Sequence, residues 1–149
     1  MIEQLVFLLG TWKGEGHASY PTINSADYTE ELTFESCGEE NKIEFSQRTL
    51  YKNENRHLHR EYGFIFEKEK DVFTFISAQN NGRTEVLKGK LESPFKIVLD
   101  STHFGNDERP VKTQREYILE NGILQYKLFL QTQTQPYQLH LEAKLKKLN

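Results

Sequence analysis

Hydrophobic and polar positions alternate with period two along most of this chain, the pattern of strands that bury one face. In residues 28–35, Tyr28, Leu32 and Phe34 share one side while charged or small residues take the other. Residues 42–51 alternate again, with Ile43, Phe45, Thr49 and Tyr51 on one face after a turn at 37–41, and the pair predicts a hairpin. Residues 57–66 and 72–78, rich in Phe, Ile and Val and parted by the charged run 67–71, predict a second hairpin. Asn80-Asn81-Gly82 offers residues that tolerate positive φ, so another strand is expected from Arg83. The alternation continues through 83–91, 95–102 and 111–119, interrupted by Ser93-Pro94 and by the polar stretch 104–110. Asn121-Gly122 is the cleanest hairpin turn, and it leads into 123–134 and 137–148, which Gln135-Pro136 separates.

A series of about nine or ten strands with short turns, no internal repeat and no long helical period predicts an antiparallel meander. Closure removes the unpaired edges that such a sheet would otherwise expose. The expected fold class is therefore all-β, an antiparallel up-and-down β-barrel of about ten strands, wide enough to enclose one small ligand. Helix is confined to short segments, at 2–8 or 21–26. The length of 149 residues suits one domain, 1–149.

Composition changes this picture little but excludes several classes of function. The formal charge of -3 gives no field to hold a polyanion, so nucleic acid is not an expected partner. Ten Phe and seven Tyr suit pleated, half-buried surfaces better than buried helices. The apolar run 5–9 is too short to span a bilayer and follows no basic segment, so neither anchor nor secretion signal is expected. Cys37 is the lone cysteine, which excludes an intramolecular disulfide and fits a reducing cytoplasm.

The sequence carries no G-x-S-x-G, P-loop, H-E-x-x-H or dinucleotide-binding glycine pattern. His57 and His59 fall on one strand face with Glu61 next, a spacing that metal sites use, but third-ligand spacing is missing and Arg56 and Arg60 suit a solvated exterior. Glycines at positions 10, 14 and 16 around Trp12 imply a bend or a close backbone approach, read most simply as a barrel corner with Trp12 plugging the closed end. By parity His140 points outward with Gln138, Glu142, Lys144 and Lys146, while Tyr137, Leu139, Leu141, Ala143 and Leu145 form the apolar stripe. For His140 to face a cavity, the strand needs a bulge or twist, or the apolar stripe must be the outer face at that end.

The run Leu8-Leu-Gly-Thr-Trp-Lys-Gly-Glu-Gly16, the tripeptide Tyr20-Pro-Thr22, the stretch Leu58-His-Arg-Glu-Tyr-Gly-Phe64, Ser77-Ala-Gln-Asn80, and Thr132-Gln-Thr-Gln-Pro136 followed by His140-Leu141 together resemble nitrobindin. The resemblance runs from about Leu8 to Leu148 in the same order. Nitrobindins are haem-binding β-barrel proteins, shaped like fatty-acid-binding proteins and described as ferric peroxynitrite isomerases. The resemblance implies one haem b per chain with His140 as the axial ligand of its iron, and hence as the catalytic residue, acting through the metal. It implies Thr22 in the haem pocket and His59 as a cavity histidine that does not ligate iron. Two departures stand out: Gln133 interrupts what in relatives is often a pair of threonines, and Asn81 replaces a more usual threonine in the predicted turn.

Haem chemistry then makes its own demands: an apolar slot, a neutral imidazole on iron with an acceptor for its other nitrogen, and polar groups for the propionates. Lys112, near the loop before Val111, is the candidate for the propionates. The implied activity is haem-dependent isomerisation of peroxynitrite to nitrate with reversible nitric oxide binding, in a cytoplasmic monomer or homodimer that meets neither nucleic acid nor membrane. A non-enzymatic carrier of a fatty acid or other apolar ligand, in a calycin-type barrel, explains strands and aromatics equally well, and an interaction module with a filled interior is a third reading.

Overall fold

The computed structural model describes residues 2–38 and 41–148; the expected turn at 37–41 includes Glu39 and Glu40, which lie outside the described residues. Ten strands run up and down in chain order: β1 (Gly10–Ala18), β2 (Ala26–Ser36), β3 (Lys42–Tyr51), β4 (His57–Glu69), β5 (Val72–Gln79), β6 (Thr84–Ser93), β7 (Lys96–Gly105), β8 (Pro110–Glu120), β9 (Ile123–Thr132) and β10 (Gln138–Lys147). β1 pairs with both β2 and β10, so the sheet is the closed all-β barrel that the alternation predicts. Asn121 and Gly122 both take positive φ, 52° and 77°, the conformation that two-residue hairpin turns require. Of the two helical candidates, 2–8 forms a 3₁₀-helix at Glu3–Leu8, whereas 21–26 forms a turn that leads into β2, closed by Ile23 N–H donating to the Tyr20 carbonyl at 3.1 Å. Among the described residues, no helix is long and apolar enough to cross a membrane.

The glycine-rich segment is a full strand rather than a corner. β1 stays in register with β2 from Gly10↔Phe34 to Ala18↔Ala26 and with β10 from Trp12↔Lys147 to Ala18↔Leu141. Its glycines serve close approach: a Cβ on Gly16 would lie 2.4 Å from the Tyr28 ring, which lies across the strand there. Trp12 does plug the closed end as expected, buried and donating its indole N–H to the Leu8 carbonyl at 2.8 Å, with the 3₁₀-helix packing Leu5 and Leu8 beneath it.

The interior divides along the barrel axis. Toward the helix it is apolar: Phe34, Phe45, Phe75 and Tyr117 meet in tilted and edge-on contacts 4.8–5.6 Å apart, among Leu32, Ile65, Leu87 and Leu145. Farther along the same strands, the inward positions become polar at Glu30, Gln47, Thr49, Glu61, Glu85, Thr113 and Arg115, all buried. The strand pattern thus closes one end with apolar packing and leaves the other as a chamber.

Candidate functional site

The open half of the barrel holds a cavity of about 380 Å³. Ile23, Leu58, Leu128, Leu130 and Leu141 give it apolar walls, above a floor of Glu30, Gln47, Glu61, Glu85, Thr113 and Arg115. His140, Thr22 and His59, three of the four residues singled out from the sequence, line it.

His140 reaches the cavity because β10 breaks its own alternation. On β9, Phe129 pairs with Leu139 and Leu128 with Leu141, so His140 is an extra residue, a β-bulge of the kind that re-aims side chains at barrel rims. Past the bulge, Leu141, Ala143 and Leu145 face inward; before it, Leu139 is exposed. The Ser19 N–H donates to the His140 carbonyl at 2.8 Å and pins the bulge to the end of β1. The ring follows: Nδ1 lies 3.4 Å from the Ser19 carbonyl oxygen, which can only accept, so this long hydrogen bond places the proton on Nδ1 and leaves the Nε2 lone pair free. Burial lowers the His140 pKa, assisted by the nearby Arg83 and His59 and opposed by the Ser19 carbonyl, so the ring favours its neutral form.

A second bulge brings in His59. β4 shifts register against β3 between Thr49↔His59 and Leu50↔His57, so Leu58 and His59 both line the cavity while His57 is exposed and bonded to Arg60. His59 Nε2 lies 3.3 Å from Glu61 Oε1. The two histidines therefore do not share a face, and among the described residues no group of three or more His, Cys, Asp or Glu could hold a metal ion.

The floor is an ion network. The Arg115 guanidinium sits between the carboxylates of Glu61 and Glu85, with one Glu61 contact at 3.1 Å, and Thr113 donates its hydroxyl to Glu85. Burial alone would raise the Glu61 carboxyl, but Arg115 and His59 outweigh it and hold the group at about 2. Glu30 stands apart, pushed up to about 7 by burial, with the Gln47 amide resisting and the charge on Glu61 adding to the rise. Sequence reasoning noted Glu61 only beside the histidines of its strand and missed Glu30, Glu85 and Arg115, although all four share the inward parity of their apolar neighbours Leu32, Ile65, Leu87 and Tyr117.

The rim carries cations, though not the lysine singled out from the sequence. Lys112 lies on the outer side of β8, next to inward-facing Thr113, with Nζ 5.0 Å from the centre of the Tyr137 ring. Arg83 and Arg109 line the cavity instead, both bound to Asp107, at 3.0 and 2.9 Å. Gln133 is exposed and ties two mouth loops by donating to the Glu108 carbonyl at 2.6 Å. Asn81 sits in the expected turn, where its side-chain oxygen accepts from Arg83 N–H at 3.0 Å, and it also borders the cavity.

These residues suit a haem. A neutral imidazole presents a free nitrogen beside leucine walls, and the cations stand at the rim where propionates would emerge, away from the acidic floor. Barrel and site thus define a ligand-binding β-barrel of the calycin type, with one imidazole placed to take a metal in its open half. Residues 1–147 match the family of the THAP4-like, heme-binding beta-barrel domain, and the chain belongs to that family. It is 35% identical over 148 residues to a peroxynitrite isomerase of Arabidopsis thaliana, covering 99% of this chain and 89% of that protein. It is 32% identical over 152 residues to the peroxynitrite isomerase of Nocardia farcinica, covering 98% and 90%. Among solved structures, Rv2717c from M. tuberculosis superposes with a TM-score of 0.89 at 27% identity, covering 99% of this chain and 97% of that one.

Proposed function

We propose that this chain holds one haem b in the open half of its barrel through Nε2 of His140, isomerises peroxynitrite to nitrate, and binds nitric oxide reversibly. The observation that carries the reading is the bulge at His140, which turns the imidazole into the cavity while the Ser19 carbonyl takes Nδ1–H and burial keeps the ring neutral. Bound there, the haem would supply a ferric iron with one coordination position free for a small ligand. The chain's own residues do the rest. Leu128, Leu130 and Leu141 offer the porphyrin an apolar wall and exclude water; Thr22 gives a small polar contact; Tyr20 fixes the imidazole from its edge. Arg83 and Arg109 take the propionate role first given to Lys112, because they border the cavity. His59 faces the cavity tied to Glu61 and is not used as a ligand.

The activities named for the Arabidopsis and Nocardia relatives support the reaction. A fatty-acid carrier with its head at the floor is less well served, because a buried carboxylate needs an unmatched cation and Arg115 already faces two carboxylates. In the same reading, the protein works in the cytoplasm as a monomer or homodimer, with small molecules rather than nucleic acid or membrane as partners. Stopped-flow decay of peroxynitrite, with haem-free and hemin-loaded protein, tests the proposal. Loaded protein should accelerate the decay toward nitrate, and equal rates would overturn the isomerase reading.

A further inference from the structure

One carboxyl group in the inner chamber is used by neither the core nor the haem reading. Glu30 is buried at 1% exposure; its Oε1 accepts from Gln47 Nε2 at 2.6 Å, and its Oε2 has no partner. An unpaired buried oxygen is costly to leave unmatched, so such an atom marks a place where a ligand group can bind. The cavity borders it. Arg115 spends both of its terminal nitrogens on Glu61 and Glu85, and the strand partners of Glu30 are Gly14 on β1 and Thr49 on β3, so Glu30 has no ion pair among the described residues.

We propose that Glu30 sets the protonation state of the small ligand that the inner chamber admits. A neutral ligand that exchanges a hydrogen bond with Oε2 is held, and the same ligand as an anion is turned away. For peroxynitrite, the admitted form is peroxynitrous acid. The inference rests on the haem reading for the anchoring of the ligand, but not for the charge of the chamber.

The electrostatics around Glu30 support this selectivity. Glu61 from β4, Tyr117 from β8, Tyr126 from β9 and Tyr28 on its own strand lie within electrostatic reach of it, and His59, Glu85, Arg115 and His140 line the same cavity. From β1 and β3, its strand partners are Gly14 and Thr49, and Gln47 is its hydrogen-bond donor. One guanidinium thus answers three carboxyl groups. Burial pushes Glu30 to about 7, so near neutrality it passes from a hydrogen-bond donor to an anion that repels other anions across a desolvated space.

The test is azide binding to the hemin-loaded ferric protein, followed by absorbance from mildly acid to mildly alkaline pH, in the wild type, Glu30→Gln and Gln47→Leu. At the alkaline end Glu30→Gln should bind azide about tenfold more tightly than the wild type, the effect of roughly one pKa unit of charge interaction, and at the acid end the two should coincide. Gln47→Leu removes the hydrogen bond that resists protonation of Glu30, so its loss of azide affinity should come at higher pH than in the wild type. Nitric oxide, neutral throughout, should bind all three alike. Superimposable azide curves for wild type and Glu30→Gln overturn the inference, as does a matching change in nitric oxide affinity, which would indicate a disturbed pocket. A haem-free measurement separates the two readings: infrared spectra should show a protonated carboxyl band that titrates near neutrality and is missing from Glu30→Gln. Absence of that band sinks the role of Glu30 and leaves the haem reading standing. Failure of the wild type to take up hemin sinks both.

Discussion

The ring of Tyr20 meets the imidazole of His140 edge to face, centroids 5.2 Å apart at 71°. Tyr20 is buried and anchored from the far side of the mouth, its hydroxyl donating to the Leu130 carbonyl of β9 at 3.3 Å. The segment between β1 and β2 therefore packs a ring against the histidine and is itself tied to β9.

Removing that wall should loosen the imidazole without removing it. Tyr20→Phe keeps the ring and loses one long hydrogen bond, and hemin affinity should barely change. Tyr20→Ala forfeits an aromatic contact worth about 0.5–1.5 kcal/mol and should weaken hemin binding up to about tenfold. Soret titrations of the two variants make the comparison, and equal loss in both would assign the effect to the hydroxyl instead.

His140 also gives the protein an acid limit for haem. The pKa of its buried ring lies below the ordinary 6.5. Between the lowered value and 6.5, the unfolded chain binds a proton that the folded haem-free protein does not, so this group's contribution to stability rises with pH across that window and is level above it. In the loaded protein, protons compete with iron for Nε2, and the low pKa delays their success. Acid titration of the hemin complex should lose its Soret band with a midpoint below 6.5. His140→Ala should shift or lose the band at all pH values.

Strand alternation made nearly the whole barrel legible in the sequence, because Tyr28, Leu32 and Phe34, or Ile43 and Phe45, mark an inner face by contrast with charged neighbours. β1 was harder to read, since its inward positions include Gly14 and Gly16, which have no side chain to alternate. The cavity floor escaped for the opposite reason. Glu30, Glu61, Glu85 and Arg115 occupy inward positions yet count as polar; pairing across β4, β6 and β8 makes the burial of the last three tolerable, and Glu30 on β2 has only the Gln47 amide. For His140, parity favours the outside, and a single inserted residue reverses it; the sequence left a nearby bulge, a twist or an apolar outer face open, and the structure has the bulge at His140 itself.

Breaking the floor network from its centre should be severe. Arg115→Met leaves Glu61 and Glu85 buried without their cation, a loss expected at about 3–5 kcal/mol in urea denaturation. Adding Glu61→Gln and Glu85→Gln to that variant should recover most of the loss, since the penalty lies in the stranded charges. Glu61, held at about 2 against an ordinary 4.5, contributes stability that is fully present above 4.5 and disappears as pH falls through about 2. The wild type should accordingly lose this part of its stability as pH falls from 4.5 toward 2, a loss that the triple variant, without the carboxylate, does not share.

Gly16 should tolerate no side chain. A Cβ there would lie 2.4 Å from the Tyr28 ring and 2.6 Å from the Glu142 carbonyl oxygen, and the backbone oxygen belongs to a paired strand that cannot yield freely. Gly16→Ala is expected to cost about 1–3 kcal/mol by overpacking, read as a lower midpoint in urea. Because Tyr28 borders the cavity, its displacement should also weaken hemin binding, which a destabilising change remote from the cavity would not do.

Glu30 predicts a reversed pH dependence that is independent of any ligand. Its carboxyl is pushed from 4.5 to about 7, so between those values the folded protein holds a proton that the unfolded chain has released. Stability from this group is therefore fully present below 4.5 and declines as pH rises through about 7, the opposite of the trend set by Glu61. Glu30→Gln abolishes the titration while keeping the size of the side chain and its contact with Gln47. The variant should match the wild type in acid and exceed it by up to about 3 kcal/mol in mild alkali, from roughly 1.4 kcal/mol per pKa unit. Paired urea denaturations across pH measure the difference. A constant offset between the two curves would mean that Glu30 does not titrate differently in the folded and unfolded chains.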